Sequence, residues 1–153
     1  MKVTGPTIDW LAIAPLVALV AGACVVLMAG LVRAPFVRHT LVPLMTLATL
    51  GATAGLAVAT WNDNVEVIAG AMAMDDLTLF LTLIFAAAAA GTVLLSWRAF
   101  APREAGHGEY HALLLAVVAG MVVLAGATNL VTVFIGYELL SIPLYVLCAT
   151  GDA

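Results

Sequence analysis

The sequence predicts an all-α protein, a polytopic bundle of five transmembrane helices with its N-terminus outside. Three observations predict it. Hydrophobic residues make up 65% of the 153 residues and charged residues only 9%, against about 45–50% and about 25% in an ordinary soluble domain. The few charges are gathered into short breaks. Between the breaks run uncharged stretches of about 20 residues, the length that crosses a hydrocarbon core. A water-soluble globule is excluded, because there is too little polar surface to cover one. Disorder is excluded as well, since it needs high charge and low hydrophobicity. Five Lys and Arg against nine Asp and Glu give a net charge of −4, which excludes a basic nucleic-acid binder. The expected surrounding is the lipid bilayer.

The first span is residues 10–32. Lys2 and Asp9 precede it and Arg33 follows it. Its apolar run is too long for the core of a signal peptide. Ala21-Gly22-Ala23-Cys24 lies too deep in that run to serve as a lipoprotein cleavage site. The second span is residues 40–61. It carries Thr40, Thr46, Thr49, Thr53 and Thr60, and Gly51-x-x-x-Gly55, a spacing that lets two helices approach closely. The third span, 77–97, follows a connection holding Asp63, Glu66, Asp75 and Asp76; Asp is a good helix N-cap and acids suit the first turn. Its alanine run at 86–90 favours helix. The fourth and fifth spans are 112–127 and 130–149. As one helix, 112–149 would measure about 57 Å, too long for a bilayer. The break belongs at Gly126-Ala127-Thr128-Asn129, where Gly and Asn can end one helix and start the next. In lipid all five must be helices, because an open strand would leave backbone polar groups unpaired.

Orientation follows from the basic residues. Arg33, Arg38, Arg98 and Arg103 all fall in the first and third connections, and Lys2 alone lies on the other side. The arginines are therefore expected in the cytoplasm, and the N-terminus and the acidic connection outside. Trp10, Trp61 and Trp97 stand at span ends, where interfacial Trp is expected.

One charge lies in no break or terminus. Glu138 stands near the middle of the fifth span. An acid at the bilayer centre costs roughly 2.5–3.5 kcal/mol on insertion scales. It is expected to face protein or water, as a proton carrier or as a structural carboxyl bonded to a neighbouring helix. On a helix Glu138 shares a side with Ser141 and Tyr145, and Tyr137 pairs with Ser141. Pro143 has no N–H for the Leu139 carbonyl, which loosens the helix one turn beyond the acid. These residues are read as a supporting polar face. His107-Gly108-Glu109-Tyr110-His111 is read as interfacial and not as a metal site, because Gly108 and the span boundary deny it a rigid ligand set. Cys24 and Cys148 fall at different depths, so no disulfide is expected between them. With no phosphate loop, cysteine cluster or nucleophile–base pair, the chain is expected to bind no cofactor or metal and to do no redox chemistry itself.

The run Phe134-Ile135-Gly136-Tyr137-Glu138-Leu139-Leu140-Ser141-Ile142-Pro143-Leu144-Tyr145-Val146-Leu147 closely resembles the fifth helix of subunit N of bacterial NADH:quinone oxidoreductase, respiratory complex I. Glu109-Tyr110-His111-Ala112-Leu113-Leu114-Leu115, Asn129-Leu130 and Met74-Asp75-Asp76-Leu77-Thr78-Leu79-Phe80 resemble the same family. The resemblance implies an antiporter-like membrane subunit in the inner or plasma membrane of a bacterial cell. It implies proton translocation driven by electron transfer in partner subunits. Those other subunits would carry NADH, flavin, iron–sulfur clusters and quinone, and the rest of the membrane arm would surround this chain. Glu138 would interact with a lysine on a later helix. The family has about fourteen membrane helices, and the resemblance covers the whole chain but only the first third or so of the family. The chain is therefore expected to be a partial antiporter-like domain, an N-terminal fragment inactive alone.

Two other functions fit the same residues. A subunit of a multisubunit cation/proton antiporter or a membrane-bound hydrogenase shares the glutamate helix; neighbouring genes discriminate. A structural membrane scaffold fragment would use Glu138 only to bond another helix.

Overall fold

The computed structural model describes residues 10–32, 34, 36–61, 64–99 and 107–149. Arg33 and Arg103, two of the arginines that set the expected orientation, lie outside the described residues, as do Lys2 and Asp63. The chain forms α1 (Trp10–Gly30), α2 (Val42–Ala59), β1 (Val65–Val67), β2 (Met72–Met74), α3 (Asp76–Ala99), α4 (His107–Ala125) and α5 (Leu130–Ala149). The result is a polytopic helical bundle. All five helices are long and apolar enough to cross a membrane.

The helices are apolar on every side, as membrane helices are. Their inner faces are marked instead by residue size and by hydroxyls. On α2 the buried positions Thr46, Leu50, Thr53 and Ala57 alternate steps of four and three. On α3 Leu79, Thr82, Ala86, Ala89, Val93 and Ser96 do the same. This is the seam of left-handed helix packing. The hydroxyls on these seams do not need a partner helix. Thr46, Thr53 and Thr82 each donate to the carbonyl four residues back, at 2.9, 2.9 and 2.7 Å.

Gly51 and Gly55 are not on the seam. A methyl group at either would meet nothing within 4 Å. The expected close helix approach through Gly51-x-x-x-Gly55 is therefore not made among the described residues, because the threonine side of α2 is the one turned inward. The close approaches fall at other glycines. Gly30 of α1 and Gly108 of α4 cross backbone to backbone, and Gly22 faces the Thr49 side chain.

Two helix starts differ from the sequence expectation. Helical conformation before α2 begins with a π-turn at Val37–Leu41, where the Val42 N–H reaches back to the Val37 carbonyl. Pro43 lies just beyond and has no N–H for the His39 carbonyl, so the regular ladder cannot run through. The fourth helix begins at His107, adding a polar first turn to the apolar span.

The connection between α2 and α3 holds a β-hairpin, which the apolar-run reading passed over. Val65 pairs with Met74, Glu66 with Ala73 and Val67 with Met72. The turn places Ile68, Ala69 and Gly70 at φ 56°, 54° and 79°. This left-handed region suits glycine and strains a β-branched residue such as Ile68. The hairpin straps the α4–α5 connection. Ala73 N–H donates to the Gly126 carbonyl at 2.7 Å, Thr128 N–H to the Ala71 carbonyl at 3.3 Å, and the Thr128 hydroxyl to the Gly70 carbonyl. α1 also touches β1. One end of the bundle thus gathers the hairpin and the turn that launches α5.

Candidate functional site

α4 is the hub of the bundle. It packs on α1, α2, α3 and α5, and more than half of its span (56%) is buried. α5 leans on α4 and has no other substantial helix neighbour among the described residues; 17% of its span is buried. Its first turn is fixed by Asn129. The Asn129 Oδ1 accepts the Thr132 N–H at 2.8 Å and the Thr132 hydroxyl at 2.9 Å, a helix N-cap. The strap on Thr128 and the cap on Asn129 set the direction in which α5 leaves the turn.

Glu138 lies near the middle of α5 and is half-buried. Its carboxylate makes no hydrogen bond or ion pair with any described residue. The expected polar face around it is divided. Ser141 (6% exposed) and Pro143 are buried on the α4 side, together with Gly136. Tyr137 (53%) and Tyr145 (67%) point away from the bundle. The physical reason is size. Small residues let the two backbones approach, so α5 turns Gly136 and Ser141 towards α4 and leaves its large aromatics outside. Glu138 sits on the border between the two sides.

The other polar positions serve local structure. Asp75 accepts the Thr78 N–H at 2.8 Å at the start of α3. The Thr78 hydroxyl and N–H beside Asp75 hold its carboxyl below the usual carboxylate range. The Asp76 N–H is capped by the Asn64 side chain at 3.2 Å. His111, near the start of α4, is 3% exposed, with its ring edge-on to Tyr110 at 5.2 Å. Among the described residues no three His, Cys, Asp or Glu side chains converge as metal ligands would.

The chain is 34% identical over 149 residues to NADH-quinone oxidoreductase subunit N 2 of Roseiflexus castenholzii, an alignment covering 97% of this chain and 29% of that protein. It is 30% identical over 152 residues to subunit N of Chloroflexus aggregans, covering 99% and 31%. Over nearly its whole length the chain is similar to part of NADH-quinone oxidoreductase subunit N. A third relative, subunit N of Trichlorobacter lovleyi, is 39% identical over 95 residues, covering 61% of this chain and 20% of its own length. No protein-family model matches the chain. The chain spans less than a third of the length of each of these subunit N relatives.

Sequence reasoning missed three participants at the α5 site. Gly120 and Gly136 make the close contact between α4 and α5, and Thr128 ties the turn before α5 to the hairpin. Gly136 lies inside the recognised run around Glu138, but neither glycine has the four-residue spacing that drew notice to Gly51 and Gly55.

Proposed function

We propose that this chain is part of a membrane-arm subunit of a proton-translocating NADH–quinone oxidoreductase, and that Glu138 takes up and releases the translocated proton. The observation that carries the proposal is the position of Glu138. It is a lone acid near mid-span, on the border of the least covered helix, with no partner of its own among the described residues. A carboxylate left facing lipid is costly at this depth. The chain therefore needs a polar or cationic group from another helix to cover it. Tyr137 and Tyr145, which also point outward, extend the same polar stripe. The kinship with subunit N supports this assignment, since the relatives are named for an enzyme that oxidises NADH and reduces quinone.

In this scheme a cation approaching Glu138 favours its charged form, and withdrawal of that cation favours proton uptake. Ser141 and the Leu139 carbonyl, which Pro143 cannot serve, offer hydrogen-bonding sites one turn away. NADH, flavin, iron–sulfur clusters and quinone belong to partner subunits, and this chain contributes no redox group. The subunit lies in a bacterial inner or plasma membrane. Its hairpin end faces outside and its arginine-bearing connections face the cytoplasm.

The test is Glu138→Gln in the assembled enzyme in proteoliposomes. Proton translocation per NADH oxidised is expected to fall at least about tenfold, a floor below the roughly hundredfold or greater contribution typical of a positioned proton-transfer group. Glu138→Asp is expected to restore part of it. Near-normal translocation in Glu138→Gln would overturn the proposal. Reduced assembly with an unchanged ratio would point to a scaffold role instead.

A further inference from the structure

We infer that Gly120 of α4, together with Gly136 of α5, is a positioning residue for Glu138. The inference rests on the proton-carrying role proposed for Glu138. A methyl group at Gly120 would lie 2.6 Å from the Leu140 nitrogen and 2.9 Å from the Leu139 carbonyl carbon. That peptide group lies one residue beyond Glu138. A methyl group at Gly136, two residues before Glu138, would lie 2.9 Å from the Leu124 nitrogen. The two glycines therefore bracket the acid. On each side of it the backbone of one helix rests against the backbone of the other.

Three features make this contact more than packing. First, α5 has no other substantial helix neighbour among the described residues, so the α4 contact alone fixes how far the Glu138 backbone stands from the bundle. Second, the Leu139–Leu140 peptide that Gly120 touches carries the carbonyl that Pro143 leaves without its helical donor. The site where α5 can bend and the site where it leans on α4 coincide. Third, the atoms in contact are backbone. A flexible side chain could swing aside, but a backbone can yield only if a helix moves. Restoring an ordinary contact of about 3.5–4.0 Å would push α5 away by about 1 Å. A misplacement of about 1 Å at a reacting group can cost on the order of a hundredfold in rate.

The test uses Gly120→Ala and Gly136→Ala in the full-length subunit within the assembled enzyme, with Glu138→Gln in the same assay. Gly30→Ala is the control. It meets Gly108 at 2.5 Å, equally crowded, but between α1 and α4. The readout is proton translocation per NADH oxidised in proteoliposomes, which a loss of assembled enzyme alone does not change. The expected result is a ratio lowered at least about threefold in Gly120→Ala and lowered also in Gly136→Ala, with Gly30→Ala at the wild-type ratio. A wild-type ratio in both α4–α5 variants while Glu138→Gln is defective overturns this inference and leaves the role of Glu138 standing. The same holds if Gly30→Ala lowers the ratio as much, or if neither α4–α5 variant assembles, because the contact then serves packing alone. A wild-type ratio in Glu138→Gln overturns both.

Discussion

α4 and α5 are joined by a short turn, are about equally apolar, and have opposite surroundings. α4 is 56% buried and meets every other helix of the chain, whereas α5 is 17% buried and leans on α4. Between membrane helices, exposed apolar surface says little, because lipid tails are as apolar as leucine. Exposed polar groups are informative. The outward side of α4 shows few of them, but α5 carries Tyr137, Tyr145 and the edge of Glu138 outward at membrane depth. The difference teaches that α4 is largely enclosed by helices of this chain, whereas α5 leaves polar side chains on its outward side.

The contrast can be broken first by truncation. Leu115 on α4 is fully buried. Leu115→Ala is expected to cost about 2–5 kcal/mol in a denaturant titration of this chain in mixed micelles, through the cavity it leaves. Phe134→Ala on α5, where the side chain is 63% exposed, is expected to cost less than about 0.5 kcal/mol before the outer face is covered. Equal losses would mean that both helices are already enclosed. A smaller effect is expected at the turn. Asn129→Ala removes the cap from Thr132 and should cost about 1 kcal/mol, seen as faster amide exchange in the first turn of α5 and not in α4.

The smallest effect concerns the opposite side of the strap. The Asp75 carboxyl is held below its ordinary value of 3.8 by the Thr78 hydroxyl and N–H. Its ionised form therefore stabilises the fold above that value. The contribution is lost as pH falls from about 3.8 through the lower folded value. Asp75→Asn keeps an acceptor for the cap and should flatten this part of the acid titration. An unchanged acid limb in Asp75→Asn would show that other carboxyls set it.

Much of the bundle was legible in the sequence, because charge-free runs of bilayer length admit only helices. The turn at Gly126–Asn129 was legible from length and capping residues, and the structure places the Asn129 cap there. The hairpin was missed although Val65-Glu66-Val67 and Met72-Ala73-Met74 flank a turn with Gly70. Its strands are too short to register against the apolar background. Which side of each helix faces inward was hidden for a physical reason. Core and lipid select the same side chains, so hydrophobic periodicity carries no signal. Gly51 and Gly55 have the expected spacing and face outward, while Gly120 and Gly136, neither with a glycine four residues away, make the contact. The orientation of Tyr137 and Tyr145 was hidden too, since it follows from how α5 seats its small residues on α4. Glu138 stood out in the sequence by its isolation alone, and the structure places it half-buried near the middle of α5.

The most direct test is a nitroxide label at Tyr145, introduced as Tyr145→Cys in the enzyme assembled in a bilayer. Collision rates are measured with oxygen, which dissolves in lipid, and with a polar relaxant confined to water. Because α5 carries its polar stripe towards other protein, low accessibility to both reagents is predicted. High accessibility to oxygen would place this side of α5 in lipid and contradict the view that it is a covered surface built around Glu138.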